Sequence, residues 1–241
     1  MPCCIGCLVV AGVAVVWRDM CQNMLHKRRK LKDFDAVIAE IGAILPRYEE
    51  QFGPDHDLTQ NLRLIRFAAL GLTGRFREAA ADATRAWQSA VLTDGPVSRR
   101  ALGARVDIAA VQCREQDPAV WREGMAHARA AVQGAERNFG ADNQLSQLAR
   151  YYLGECLLTA GNPEAAMAAF ANIDPVEMGE MTGDPRWHRS LDLSRAEAAL
   201  ALGRRDEARS HLASVTKYGL EDVSDQYQLR RIARLQKLAE G

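Results

Sequence analysis

The sequence predicts an all-α fold, a stack of antiparallel helix pairs closed by a C-terminal capping helix. Three observations carry that expectation. Apolar residues recur at three and four spacing along the chain, and no alternating β-branched run bounded by turn residues interrupts them. Ala, Leu, Arg and Glu, all good helix formers, dominate the composition. One short phrase also recurs: GRFREA from Gly74, GNPEAA from Gly161 and GRRDEA from Gly203 each set a glycine at a turn and an alanine five residues later, at Ala79, Ala166 and Ala208.

The three glycines stand 87 and 42 residues apart, which is two periods and one period of about 43. A missing member is expected near 117, where Asp117-Pro118 closes one helical stretch and opens another with proline in its first turn. That unit lacks the glycine and reads as a degenerate copy. One period before Gly74 stands KDFDAV from Lys32, with Phe34 in the place of Phe76. In each unit glycine can take a positive φ and end the first helix, the short link turns the second helix back, and the alanine lets the two approach closely. Phe170 and Leu212, nine residues after their glycines, are expected to plug the next interface. A single pair cannot bury both of its faces, so the pairs stack. Two leaders, FGPDHDLT from Phe52 and FGADNQLS from Phe139, precede first helices, with Asp55 or Thr59 and Asp142 as expected N-terminal caps. The last segment carries Leu229, Ile232, Leu235 and Leu238 at helical spacing with charges elsewhere, the pattern of a solvated cap. The resulting division is 1–31, an apolar N-terminal segment and its basic flank; 32–216, the repeats; and 217–241, the cap.

Leu153, Gly154 and Leu157 before Gly161, with Ala166 and Phe170 after it, resemble the tetratricopeptide repeat. The longer period and the Phe-Gly leaders are similar to the kinesin light chain type of that repeat. The resemblance covers roughly Lys32 to Thr216, and it departs from the family at Phe67, where a small residue is usual, and at Arg66 and Arg195, which fill leucine slots. It implies a right-handed α-α superhelix, or solenoid, in which the first helix of each pair lines a concave groove that binds a peptide or helix. Carried over residue by residue, the groove positions are Asn61, Leu64 and Ala68, then Asp107 and Val111, Tyr151 and Glu155, and Leu193 and Glu197. With Asp107, Glu155 and Glu197 the groove is mildly acidic, and a partner segment with Lys or Arg is expected.

Composition narrows the function. With 31 basic and 31 acidic residues the net charge is zero, so the electrostatic footprint of a nucleic-acid-binding protein is missing. The five histidines are scattered, and no nucleophile elbow, phosphate loop or zinc-protease motif occurs. CIGC at Cys4 to Cys7 has CxxC spacing but no second pair to complete a metal site. No enzyme, cofactor or metal is therefore expected. His56 reads as a loop and cap residue, and Trp87, Trp121 and Trp187 as packing residues. Cys113 and Cys156 stand alone in helical patterns and read as free, buried thiols, which favours a reducing compartment. The apolar run from Cys3 to Trp17, 15 residues followed by HKRRKLK at 26–32, has two readings, a short membrane anchor or an apolar helix packed on its neighbours. As an anchor, its flanking charge would hold the repeats on the cytoplasmic side. The leading expectation is a non-catalytic scaffold that binds another protein, cytoplasmic and with a tether at 3–17; the alternative is a regulatory or sensor domain of a larger signalling protein.

Overall fold

The computed structural model describes residues 33–115, 117–174, 187–217 and 226–240. The Cys3–Trp17 run lies outside them. Among the described residues the chain is all helical. In order run α1 Phe34–Phe52, α2 Asp57–Thr73, α3 Phe76–Asp94, α4 Arg99–Gln112, α5 Pro118–Phe139, α6 Gln144–Thr159, α7 Pro163–Phe170, α8 Trp187–Ala201, α9 Arg205–Lys217 and α10 Gln226–Glu240. Each helix packs on the next, and α4 also touches α6, α6 touches α8, and α8 touches α10. None of these helices is long and apolar enough to cross a membrane.

The core is a string of local clusters. One joins α1, α2 and α3 and borrows Val111 from α4; another joins α4, α5 and α6; a third links α4 through α7 to Leu191 of α8; the last joins α8, α9 and α10. This is the packing a helical repeat requires, since each unit buries its apolar faces against its sequence neighbours.

The turn glycines behave as their positions predict. Gly74, Gly161 and Gly203 take φ of 81°, 73° and 74°. After each, the next amide bonds back to a carbonyl in the last turn of the preceding helix: Arg75 to Leu70, Asn162 to Leu157 and Arg204 to Ala199. Ala79, Ala166 and Ala208 are fully buried, and Phe170 and Leu212 are buried too. The copy near 117 turns without glycine: α4 ends at Cys113 in right-handed geometry, and Asp117 caps α5 by accepting from the Ala119 amide.

The departure at Phe67 has a steric explanation. A Cβ on Gly154 would lie 2.2 Å from Cε1 of Phe170, so α6 and α7 meet as glycine against phenylalanine. In the α2 unit the same two positions hold Phe67 and a buried Ala83, the large and small partners exchanged. In the α8 unit they hold Ala196 and Leu212. Such an exchange of large and small partners would conserve the pair's summed volume, the kind of change a packed interface tolerates best. Arg66 likewise has a reason to replace leucine: it grips the buried Asp82 of α3 through two bonds of 2.7 and 2.5 Å. Arg195 donates to the Phe170 carbonyl at 2.8 Å.

The two leaders build one loop twice. Gly53 and Gly140 share φ near 90° and ψ near 159°. Thr59 Oγ1 and Ser146 Oγ donate to their carbonyls at 2.9 and 2.7 Å. Arg63 then ties the loop carbonyl of Pro54 to Glu49, and Arg150 ties that of Ala141 to Glu136. Asp55, Thr59 and Asp142 are not the caps: His56 Nδ1, read as a loop and cap residue, caps α2 and Asn143 Oδ1 caps α6, each accepting an amide two residues on, whereas Thr59 closes the loop. A third leader was not singled out in the sequence: Gly95-Pro96 repeats Gly53-Pro54, has the same glycine geometry and leads to a Ser98 cap on α4. Its arginine, Arg105, has Val91 where the others have glutamate and lies over the Trp87 ring instead, 4.7 Å from its centroid.

Candidate functional site

The sequence-derived positions separate into two regions. In the first, residues of α2, α3 and α4 line a cleft of about 280 Å³. Asn61, Leu64 and Asp107 all line it. Asn61 and Ala68 are exposed, and Leu64 is 51% exposed although it is a large apolar side chain on a first helix. Asp107 is half-buried and accepts no hydrogen bond among the described residues. Burial pushes its carboxyl up to about 7. Arg99, Arg100 and Asp57 border the same cleft, with Arg100 tied to Asp57 at 3.4 Å and to Asp94 at 3.1 Å, and Arg99 lying over the Phe139 ring. Val111, expected beside Asp107, is buried in the α1–α3 cluster and does not face the cleft's solvent.

The second region holds Tyr151, Glu155, Leu193 and Glu197, and it is covered. Helix α10 lies across it and packs on α8 and α9, reaching as far as α2. Ile232, Leu235 and Ala239 join Leu193, Ala196, Leu212 and Val215 in one cluster. Arg231 enters beside them, 7% exposed. It donates to both oxygens of Glu155, at 2.8 and 3.0 Å, and to Glu197. Arg234 binds the other oxygen of Glu197. Ser194 completes the network by donating to Glu155 at 2.5 Å, with the Tyr151 hydroxyl 3.4 Å away. Burial alone would push the Glu155 carboxyl up, but the Arg231 guanidinium and the Ser194 hydroxyl hold it below the usual carboxylate range. Burial and the neighbouring Glu155 push the Tyr151 phenol up. The cap is therefore not simply solvated: its arginines share a face with its apolar residues.

Three contacts measure the period directly. Asp57 and Arg100, Cys113 and Cys156, and Tyr151 and Ser194 are each separated by 43 residues in sequence and meet in space. The second pair corrects the reading of the cysteines. Both are buried, as expected, but they are joined in a disulfide between the end of α4 and α6. One repeat period places them in register on successive first helices, a relation that inspecting each cysteine in its own helix does not reveal. The free-thiol basis for a reducing compartment falls with that correction.

The sequence reading missed Arg231, Arg234 and Ser194. The signal was available as the run Arg231-Ile232-Ala233-Arg234-Leu235, in which arginine recurs one turn apart directly beside the apolar positions. Among the described residues no three His, Cys, Asp or Glu side chains converge as ligands for a metal ion. His56 caps α2, Trp87 packs edge-on against His127, and Trp187 packs edge-on against Tyr151, 4.9 Å between ring centroids. No protein-family model matches the chain, and no curated protein matches it.

Proposed function

We propose that the protein is a non-catalytic scaffold of tetratricopeptide-like pairs, wound as a right-handed superhelix, that binds a segment of another protein along its first helices. The observation that carries this reading is the α2–α4 cleft, where exposed Leu64, Asn61 and the unpartnered carboxyl of Asp107 converge. An apolar anchor point beside a carboxylate fits an extended or helical segment bearing an aliphatic and a cationic side chain. In the superhelix, α2, α4, α6 and α8 would form the concave wall, and a cationic segment is what the carboxyl of Asp107 favours, since Glu155 and Glu197 already hold Arg231 and Arg234. The test is affinity capture with the wild-type chain beside a Leu64→Arg, Asp107→Asn variant. Loss of the captured proteins supports the cleft; identical partner lists would reject it.

The run at 3–17, with its basic flank, is the proposed tether, holding the repeats on the cytoplasmic side. Membrane fractionation of the full chain beside a version starting at Lys32 tests it, and equal distributions of the two would dismiss the tether. Thiol counting under non-reducing conditions, applied to the same fractions, reports whether Cys113 and Cys156 are paired there.

A further inference from the structure

Helix α10 fills the second region. We propose that the Glu155–Ser194–Glu197 face is a recognition site for an amphipathic helix bearing two arginines one turn apart beside apolar residues, and that α10 is a resident ligand which a partner helix of that pattern displaces. The proposal deepens the scaffold reading and rests on it.

A helix that only capped the last unit would need the apolar contacts alone. Ile232, Leu235 and Ala239 already supply them, and well-packed apolar residues are commonly as stabilising as a buried ion pair. Here two carboxylates, one of them 8% exposed, and a buried serine are instead set to receive a guanidinium in fixed geometry. Both acceptors stand on first helices, α6 and α8, while both arginines come from the final helix, 76 and 37 positions away in sequence. Such an arrangement selects its ligand more than it adds stability, because Arg presents a planar fork that Lys cannot reproduce. The site also leaves a small cavity of about 60 Å³ beside Arg231, bordered by Arg114 and Thr159, so the guanidinium is not sealed in by close packing. Chemistry expected of a partner, a cationic segment in an acidic groove, is thus met from within the chain. An intramolecular ligand lowers the apparent affinity of any external one by the fraction of time it occupies the site.

The test uses the full chain and a fluorescent peptide of residues 226–240. The expected order of affinity for this peptide is Arg231→Ala chain, then Arg234→Ala chain, then wild type, with at least a tenfold gain from wild type to Arg231→Ala. A peptide carrying Arg231→Ala should not bind any of them measurably. Equal affinity for all three chains, or equal binding of the two peptides, would overturn the proposal. Should the Arg231→Ala chain lose its helical signal, the milder Arg234→Ala chain decides, since Arg234 is largely exposed and Arg231 keeps its bonds there. Sedimentation of the variants separates a foreign ligand from a second copy: monomers support the proposal, and dimers that exchange labelled chains would reassign the site to α10 of another molecule. The outcome is independent of the Leu64 and Asp107 test, which reads the α2–α4 cleft and leaves α6 and α8 untouched.

Discussion

The α2–α4 cleft and the α6–α8 face are built by one repeat, yet the first is open and the second is filled. Both set an acidic side chain on a first helix, Asp107 in one and Glu155 in the other. Asp107 lies against the cleft with no partner and its carboxyl is pushed up by burial, whereas Glu155 is more deeply buried and held down by Arg231 and Ser194. Two carboxylates on first helices, about one turn apart in the repeat register, therefore carry opposite electrostatics according to whether a guanidinium arrives. Repetition sets where a side chain sits, and its neighbours across the stack decide its charge state.

The largest effect should come from breaking the filled half. Arg231→Ala leaves Glu155 without its guanidinium, and removing one partner of a buried pair costs about 3–5 kcal/mol. The expected response is local: undocking of α10 limits the loss, so amide exchange should quicken in α8 to α10 and where α2 meets α10, and stay unchanged in α1, α3 and α4. Uniform loss of protection throughout the chain would show that the halves are not separable.

Next in size is the packing exchange that distinguishes the units. Gly154→Leu should destabilise by about 1–3 kcal/mol, because its side chain must enter the space of Phe170. Combining Gly154→Phe with Phe170→Ala reproduces the Phe67 and Ala83 arrangement and should recover most of the thermal stability. Failure to recover would mean that the α2 unit tolerates its exchange for some reason other than conserved volume.

Acidity should move the two halves in opposite directions. The Asp107 carboxyl is raised to about 7 in the folded chain and stands near 3.9 when unfolded, so the folded state holds an extra proton between those values. Its stability contribution is complete below about pH 4 and is lost as pH rises toward 7. For Glu155 the folded carboxyl is depressed, so its contribution is present above the unfolded value and lost as pH falls through the folded one. Exchange protection near α4 should accordingly fall with rising pH while that of α10 falls with acid, and Asp107→Asn should flatten the first trend alone. Binding of a cationic segment to the cleft should strengthen between pH 6 and 8, with Arg99, Arg100 and Asp57 setting a constant background.

The smallest stability change belongs to Leu64→Ser. The side chain is exposed, so a shift within about 0.5 kcal/mol is expected while partner capture falls. An unchanged capture with unchanged stability would leave Leu64 as an ordinary surface residue.

Much of the fold was legible because its determinants are local. A turn glycine with positive φ, a small residue at a fixed offset and a polar cap act within one or two helical turns, and they repeat at Gly74, Gly161 and Gly203. The period itself was readable, and the pairs that meet 43 residues apart bear it out. Of the candidate positions, only the meeting of Asn61, Leu64 and Asp107 in one cleft was legible, because it depends on the face each takes on its helix. Cys113 with Cys156, Gly154 with Phe170, and Arg231 with Glu155 and Glu197 are relations between helices. Each residue alone has an ordinary reading as a buried thiol, a packing residue or a surface charge. The sequence by itself determined the helices, their turns and the repeat, since these follow from backbone conformation and side-chain spacing. Tertiary structure alone decided which groove positions stay open, because that depends on where α10 packs and on the partner its buried arginine finds.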